Sequence, residues 1–320
     1  MDKPEQKPEV LAVTNKLPPA YLQTLSENFS LLDRLHEQDP TAFALAAPRI
    51  RAIAASGEAK VPRALMEQMP ALQIISVFGV GYDGVDMAAA KERGIMVTHT
   101  PDVLNDDVAD LAIALMLSIA RRIPQADQYV RAGKWPSGPM PLASKMSGAR
   151  LGIVGLGRIG GAIAKRAEAF GMRIAYHTRT PKADCAYPYF ASAAALAAEV
   201  DYLVAITPGG AATKGLVNAE VLNALGPKGY LINVARGSVV DEVALLLALQ
   251  EKRIAGAGLD VYENEPNVPS GFYALDNVVL TPHMASATVQ TRAAMGALAF
   301  GNLQAYFAGQ SALSPVPECS

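Results

Sequence analysis

Short apolar runs alternate with stretches of helical periodicity through the first hundred residues. Five runs have the length of strands: Leu11–Thr14, Ser30–Leu32, Ile53–Ala55, Ile74–Val77 and Met96–Thr98. The stretches between them predict helices at Pro18–Leu25, Thr41–Ala47, Pro62–Gln68 and Val85–Arg93. Alternation of this kind is typical of a parallel sheet with helices on its faces. The first hundred residues therefore predict a complete small α/β domain.

The stretch from Leu151 to Arg179 has the clearest pattern in the chain. A short apolar run leads into a glycine-rich turn, apolar residues then recur at helical spacing as far as Gly171, and a second apolar run follows at Ile174–Tyr176. This order predicts strand, turn, helix and strand. Further on, strands are predicted at Tyr202–Ile206, Tyr230–Val234, Ala257–Val261 and Val278–Leu280, and helices at Ser192–Glu199, Ala219–Leu225 and Asp241–Glu251. Together these make six strands, the number in a doubly wound nucleotide-binding domain.

The length of 320 residues is large for one hydrophobic core, so two domains are expected. Residues 1–99 plus 286–320 are predicted to form a discontinuous substrate-binding domain, because one long helix at Ser286–Ala308 would return the chain to the first domain. Residues 100–285 would form the nucleotide-binding domain, with an irregular dimerisation arm around 123–148. The predicted fold class is α/β, with two Rossmann-like or flavodoxin-like parallel-sheet domains and the active site in the cleft between them.

The glycine-rich turn reads Gly155-Leu156-Gly157-Arg158-Ile159-Gly160. Gly155 permits a tight turn, Gly157 lets the backbone approach a pyrophosphate, and Gly160 lets the helix pack close to the strand. The N-terminus of the helix then presents N–H groups and a positive dipole end to the phosphates. A bare G-x-G-x-x-G also marks ordinary turns, but the strand and helix on either side favour a dinucleotide site.

The end of the second strand of this motif bears on which dinucleotide binds. Sites for NAD usually carry an Asp or Glu about 20 residues past the glycines, which accepts hydrogen bonds from the ribose hydroxyls. This chain has Tyr176-His177-Thr178-Arg179-Thr180 there, without an acid. The planar fork of Arg179 suits a 2′-phosphate, and the hydroxyls of Thr178 and Thr180 can donate to it. We predict NADP(H) as the preferred cofactor. NAD(H) is the alternative, with Arg179 as a solvated loop arginine.

Composition and charge exclude several classes of function. The hydrophobic content of 51%, the net charge of −2 and the pI near 6.1 indicate a globular protein without an electrostatic footprint for nucleic acid or an anionic membrane. Cys185 and Cys319 form no disulfide framework and have no metal-type spacing, so no metal is expected. The polar first ten residues lack the apolar core of a signal peptide, and the apolar run Leu111–Ala120 is too short to span a bilayer. We expect a cytoplasmic protein.

Three short stretches follow the last three predicted strands, where ligands bind in this architecture. They contain Arg236, Glu265 and His283. Arg236 can hold the carboxylate and carbonyl of a 2-keto acid, and His283 can donate a proton to the carbonyl oxygen, since an imidazole titrates near neutrality. Glu265 would favour the protonated ring and fix its orientation. Each residue alone is also an ordinary loop residue, but the three together after a nucleotide motif favour catalysis.

Four motifs follow one another along the chain: GLGRIG, LINVARGSVVDE, GLDVYENEP and LTPHMASAT. Their order resembles that of the D-isomer-specific 2-hydroxyacid dehydrogenases, and the resemblance runs from about Ile74 to Pro315. Two further stretches, TPDVLNDDVADLAIALMLSIARR and ALGPKGYLINVARG, are similar to the glyoxylate/hydroxypyruvate and hydroxyphenylpyruvate reductase branch.

The resemblance implies that Arg236, Glu265 and His283 are the catalytic group, with His283 and Arg236 also contacting substrate. It implies that the backbone amides of Val80 and Gly81 bind the substrate carboxylate; from the residues alone, this glycine turn is equally an anion site or a plain turn. It implies cofactor contacts at the glycine turn and at successive strand ends: Leu156, Gly157, Arg158, Ile159, Thr178, Arg179, Thr180, Thr207, Pro208, Thr213, Val234, Ala235, Arg236, Asp260, His283 and Ser286.

Members of the family are homodimers joined through the nucleotide domain. Trp135 resembles a residue that is lent to the active site of the partner subunit, and a packing anchor in the interface is the alternative. The chain departs from the family pattern at Thr207-Pro208-Gly209-Gly210-Ala211, where a Cys-Pro-Leu-Thr-like loop is common. It also ends at Ser320 without the regulatory extension of many phosphoglycerate dehydrogenases, so we do not expect that activity.

The expected activity is NADPH-preferring reduction of small 2-keto acids, glyoxylate and hydroxypyruvate first, to D-2-hydroxy acids. One alternative is a reductase of bulkier 2-keto acids such as hydroxyphenylpyruvate or 2-ketogluconate. The other is a non-catalytic dinucleotide-sensing protein of the same fold, which the Arg-Glu-His group disfavours. Fold alone does not decide between them.

Overall fold

The computed structural model describes residues 7–319. The chain divides into two compact units: one runs to Leu104 and resumes at Ala287, and the other runs from Asn105 to Ser286. The domain boundaries predicted at 99/100 and 285/286 lie within a few residues of these. The first six residues, on which part of the signal-peptide expectation rests, lie outside the described residues. No helix within residues 7–319 is both long and apolar enough to cross a membrane.

The first unit is built on a five-stranded, wholly parallel sheet. Its strands are β1 (Glu9–Ala12), β2 (Ser30–Asp33), β3 (Ile50–Ser56), β4 (Ile74–Phe78) and β5 (Met96–Thr98). They pair in the order β2-β1-β3-β4-β5, the flavodoxin-like order. The helices between them are α1 (Pro19–Asn28), α2 (Leu35–Gln38), α3 (Pro40–Ala46), α4 (Arg63–Glu67) and α5 (Met87–Glu92). Every residue of β4 is buried, as expected for a strand covered on both faces.

The second unit is built on a six-stranded parallel sheet. Its strands are β6 (Arg150–Val154), β7 (Arg173–His177), β8 (Tyr202–Ala205), β9 (Tyr230–Asn233), β10 (Gly256–Leu259) and β11 (Val278–Leu280). They pair in the order β11-β10-β9-β8-β6-β7. The order reverses between β6 and β8, and such a switch point is where doubly wound sheets bind ligands.

The helices of the second unit are α6 (Asn105–Arg121), α7 (Ile123–Arg131), α8 (Arg158–Ala169), α9 (Ala193–Ala197), α10 (Ala219–Leu225) and α11 (Glu242–Gln250). Helix α6 packs against α8, β9 and β10 through a buried stripe that includes Val108, Leu115 and Ile119. Polar side chains cap α9, α10 and α11 by accepting a backbone N–H of the first turn: Ser192, Asn218 and Asp241.

The last long helix, α12 (Val289–Phe307), returns the chain to the first unit, where it packs against β4 and α1. Thr288 caps it by accepting the N–H of Thr291. This agrees with the helix predicted at Ser286–Ala308, although the helix begins only after the capping threonine because Thr288 has an extended backbone.

The strand and helix patterns are confirmed, and one prediction is wrong. The arm around 123–148 was expected to be irregular, but its first nine residues form α7. Pro124 occupies the first turn, where its missing N–H costs nothing, and Arg131 pairs with Asp127 one turn earlier at 2.8 Å. No residue of α7 is buried: Ile123, Ala126 and Val130 recur at helical spacing, but Ile123 and Val130 stay 49% and 55% exposed.

Candidate active site

The glycine turn between β6 and α8 is shaped by close backbone contacts. Gly155 has φ +105°, and a Cβ there would lie 2.7 Å from the carbonyl oxygen of Ile206. A Cβ on Gly160 would lie 2.3 Å from the carbonyl oxygen of Gly155. Around Gly157, in contrast, a Cβ would meet nothing within 4 Å. The first and third glycines are therefore needed for packing, and the second leaves open space at the N-terminus of α8.

The predicted cofactor residues lie at the carboxyl ends of the strands of the second unit. At the glycine turn, Leu156 is buried, Ile159 is half-buried, and Gly157 and Arg158 are exposed. After β7, Arg179 and Thr180 are exposed, and the hydroxyl of Thr178 donates to the carbonyl of Thr180 at 2.7 Å. After β9, Val234 and Ala235 are buried. Ser286, half-buried, ends the unit.

The loop after β8 holds Thr207, Pro208 and Thr213. The hydroxyl of Thr213 donates to the carbonyl of Pro208 at 2.7 Å, so it closes the loop. The hydroxyl oxygen of Thr207 is buried and has no hydrogen-bond partner within residues 7–319. Its side chain lies beside Gly155, where an added Cβ would be 3.0 Å from Cγ2 of Thr207.

The loop that carries Arg236 is held by a side chain that sequence reasoning did not single out. Asn233, at the end of β9 and almost fully buried, donates from Nδ2 to the carbonyl of Arg236 at 3.0 Å and accepts the N–H of Ala235 at 3.1 Å. Arg236 is half-buried, and its Nη1 donates to the carbonyl of Ala235 at 2.8 Å. The sequence held one signal for this role: an Asn at the end of a predicted strand, three residues before Arg236, whose side chain can hydrogen-bond the backbone of the loop that follows.

Glu265 and His283 are in direct contact. Oε2 of Glu265 lies 2.8 Å from Nδ1 of His283, and its Oε1 accepts the N–H of Tyr262 at 3.0 Å. The side chains are 15% and 30% exposed, so the contact is shielded on the carboxylate side and accessible on the imidazole side. The structure thus brings together two of the three predicted catalytic residues, in the orientation needed for Glu265 to support the ring.

The loop of His283 is organised by Asp260, whose side chain is fully buried at the end of β10. Oδ1 accepts the hydroxyl of Thr281 at 2.7 Å and the N–H of Met284 at 2.9 Å, and Oδ2 accepts the N–H of Ala285 at 3.0 Å. The carbonyl of Asp260 also accepts the N–H of His283 at 2.8 Å. The predicted cofactor contact of Asp260 stays a prediction; the geometry assigns its carboxylate to this loop.

His283 has φ +50°, in the left-handed region that a non-glycine residue seldom adopts. Such a conformation persists only where the surroundings determine it. Here the hydrogen bonds to Asp260 on both sides of His283 supply that constraint, so the imidazole is directed by the fold and not by its own backbone preference.

Tyr262 and Glu242 connect the three strand-end loops. A Cβ on Gly237 would lie 1.9 Å from the carbonyl carbon of Tyr262, so the loops after β9 and β10 touch backbone to backbone. The hydroxyl of Tyr262 donates to the carbonyl of Thr281 at 3.1 Å, and burial raises the pKa of this phenol. Glu242 accepts the N–H of Glu263 at 2.7 Å; burial raises its pKa, as do the neighbouring Glu263 and Glu265.

The remaining predicted residues lie elsewhere. Val80 and Gly81 are half-buried in the first unit, in the loop after β4. Trp135 lies in a short 3-10 turn of the arm and is 67% exposed. Within residues 105–286, as the structure describes them, no hydrogen bond, ion pair or ring contact joins Trp135 to the loops of Arg236, Glu265 or His283.

We predict that Asp260→Asn lowers the free energy of unfolding by about 1–3 kcal/mol, because the amide of Asn would face the N–H of Ala285 and leave that buried donor unsatisfied. Urea unfolding followed by circular dichroism measures this. Thr281→Val is the matched control. It removes one donor to Asp260 but leaves the carboxylate that accepts the N–H groups of Met284 and Ala285. We expect it to lower the free energy of unfolding by only about 0.5–1.5 kcal/mol. Equal stability of Asp260→Asn and wild type would contradict the role given to Asp260.

Comparison with known proteins agrees with this geometry. The family model of the D-isomer-specific 2-hydroxyacid dehydrogenase, NAD-binding domain, matches residues 113–285. The hydroxyphenylpyruvate reductase of Plectranthus scutellarioides is 50% identical over 295 residues, which cover 92% of this chain and 94% of that protein. The glyoxylate/hydroxypyruvate reductase A of Arabidopsis thaliana is 51% identical over 267 residues, 83% of this chain and 85% of that protein.

Among solved structures, an NADPH-dependent glyoxylate/hydroxypyruvate reductase from Sinorhizobium meliloti, in complex with NADP and malonate, superposes with a TM-score of 0.93. The two chains are 49% identical, and the match covers 98% of each. The chain therefore belongs to the D-isomer-specific 2-hydroxyacid dehydrogenases, NAD(P)-dependent oxidoreductases, in the branch of the glyoxylate/hydroxypyruvate and hydroxyphenylpyruvate reductases.

Proposed function

We propose that this enzyme reduces small 2-keto acids, glyoxylate and hydroxypyruvate first, to D-2-hydroxy acids, with NADPH preferred over NADH. The observation that carries the proposal is the contact between Glu265 and His283 in the unit that also holds the glycine turn. Relatives about half identical to this chain are named as reductases of these acids, and one is described as NADPH-dependent. A sensor without activity would have no need of an oriented imidazole–carboxylate pair.

The second unit fits a nicotinamide dinucleotide. The open space at Gly157 lets a pyrophosphate approach the first N–H groups of α8, and the unpaired hydroxyl of Thr207 lies beside the same turn. Leu156, Gly157, Arg158 and Ile159 would contact the phosphates. When bound, the reduced cofactor supplies the hydride that the carbonyl carbon accepts.

His283 would donate the proton to the carbonyl oxygen. Because Nδ1 contacts Glu265, the proton passes from Nε2, on the other side of the ring. The negative charge of Glu265 stabilises the imidazolium before transfer and holds the ring plane. The left-handed backbone of His283, fixed by Asp260, sets the direction in which Nε2 points.

Arg236 would bind the keto acid. Its guanidinium offers paired N–H groups to the carboxylate and polarises the carbonyl as negative charge develops on oxygen. Asn233 keeps the loop of Arg236 in place through its two backbone hydrogen bonds. The amides of Val80 and Gly81 would complete the binding of the carboxylate.

Reduction of bulkier 2-keto acids is the second candidate, because a relative with 50% identity is named a hydroxyphenylpyruvate reductase. The two candidates share all the residues described above. They differ only in the room available for the substrate side chain.

We also propose that the enzyme is a homodimer. The arm exposes several large apolar side chains, including Val130, Trp135 and Leu142, the last 99% exposed. Large exposed apolar groups within one arm are typical of interaction surfaces, and Trp135 would reach a partner subunit. Light scattering should give twice the mass of the chain; a monomer at micromolar concentration would contradict this.

Initial rates with NADPH test the activity. We expect kcat/KM for glyoxylate and hydroxypyruvate to exceed that for phenylpyruvate by roughly tenfold or more, since a small pocket loses binding energy when it must admit a bulky group. Faster turnover of phenylpyruvate would favour the second candidate. Absence of turnover with all three acids would contradict the proposal.

Arg179→Ala tests the cofactor preference. Loss of a charge-assisted pair with the 2′-phosphate should lower kcat/KM for NADPH by roughly tenfold or more and leave that for NADH nearly unchanged. Arg173→Ala is the matched control, because Arg173 is also exposed but lies at the opposite end of β7. If wild type prefers NADH, or if Arg173→Ala has the same effect, the assignment of Arg179 is wrong.

A further inference from the structure

Two backbone N–H groups in the loop after β4 lack an acceptor. Val80 and Gly81 are half-buried, and within residues 7–319 no group accepts a hydrogen bond from either N–H. Two adjacent backbone N–H groups without a protein acceptor are free to bind an anion together.

The carbonyl groups of the same loop are held by one neighbouring segment, His99–Thr100. The carbonyl of Gly79 accepts the N–H of Thr100 at 2.8 Å, and the hydroxyl of Thr100 accepts the N–H of Gly79 at 3.0 Å. The carbonyl of Val80 lies 2.9 Å from Nδ1 of His99. Because a carbonyl oxygen only accepts, this contact places a proton on Nδ1.

These contacts fix the direction of the two free N–H groups. In a trans peptide the carbonyl of one residue and the N–H of the next point in opposite directions, and the peptides of this loop are trans. Anchoring the Gly79 carbonyl on Thr100 turns the N–H of Val80 away from that segment. Anchoring the Val80 carbonyl on His99 does the same for the N–H of Gly81. Both donors therefore face one side, as an anion requires.

His99 is in turn held by the C-terminal segment that follows α12. Its N–H donates to the carbonyl of Ser314 at 3.1 Å, and the hydroxyl of Ser314 donates to the carbonyl of His99 at 2.7 Å. Ser314 is fixed by Asn302, a fully buried residue of α12, whose amide donates to the Ser314 hydroxyl at 2.8 Å and accepts its N–H at 2.9 Å. A buried polar network thus leads from α12 to the loop.

Tyr82 gives the loop a second attachment to the same segment. Its ring meets that of His99 edge to face, with centroids 5.5 Å apart. Its hydroxyl donates to Oε2 of Glu318 at 3.0 Å. Burial, followed by this hydrogen bond, raises the pKa of Tyr82 to about 12, so the phenol keeps the proton that it donates.

We propose that His99 is a positioning residue for substrate, and that the C-terminal segment Ser314–Glu318 holds it in place. His99 directs the N–H of Gly81 at the substrate carboxylate by holding the carbonyl of Val80. The role rests on the proposed function, in which Val80 and Gly81 bind that carboxylate. It extends the substrate site to residues that never touch substrate.

The test compares His99→Leu with His99→Asn. Leucine fills the space without a donor, whereas the Nδ2 of asparagine takes the place of the imidazole Nδ1–H. His99→Leu should raise KM for hydroxypyruvate by about tenfold, the cost of one misdirected hydrogen bond to a charged group, and change kcat by less than about threefold. His99→Asn should restore KM to within about threefold of wild type. The dissociation constant of NADPH should not change in either.

Tyr82→Phe keeps the proposal testable if His99→Leu does not fold. It removes only the bond to Glu318, so it should raise KM by about two- to threefold, with the circular dichroism of wild type. An unchanged KM in His99→Leu, or an equal rise in His99→Asn, would overturn the proposal while wild-type turnover stays normal. A wild type that turns over no keto acid would instead refute the proposed function itself.

Discussion

The buried carboxylate of Asp260 is the interaction on which the candidate active site depends. It accepts three hydrogen bonds from the loop of His283, and its own carbonyl accepts a fourth from the N–H of that histidine. A charge out of contact with water is tolerated only when its lone pairs are satisfied in this way. The arrangement holds His283 in a left-handed backbone conformation that it would otherwise leave. The imidazole is therefore preorganised for its contact with Glu265.

Parallel topology explains how residues far apart in the chain come together. In a parallel sheet every carboxyl end lies at one edge, so the loops after β6, β8, β9, β10 and β11 share that edge. The strand order reverses between β6 and β8, so the loops that follow these two strands start side by side and then run in opposite directions. At their start, Gly155 lies against the backbone of Ile206. The glycine turn and the loops of Arg236, Glu265 and His283 therefore lie at one edge of one sheet.

Hydrophobic periodicity predicted the elements well because burial produced it. The strands and the packed helices such as α6 carry apolar positions that must face a core, and these were visible in the sequence. Helix α7 was missed although Ile123, Ala126 and Val130 recur at helical spacing, because the prolines and glycines that follow it indicated irregular structure throughout the arm. The sequence did not reveal that Asn233 and Asp260 hold the loops of Arg236 and His283, because they act through backbone groups that periodicity does not encode. The network from Asn302 to His99 joins residues about two hundred positions apart, which only the folded chain reveals.

The most direct measurement of the central claim is a single turnover of hydroxypyruvate by His283→Ala loaded with NADPH, with cofactor affinity measured by NADPH fluorescence on the same sample. If His283 supplies the proton, the rate of NADPH oxidation falls by roughly 10²–10⁴-fold, the usual contribution of general acid catalysis, while the affinity for NADPH falls far less. An unchanged rate, or equal losses in rate and cofactor affinity, would contradict the account.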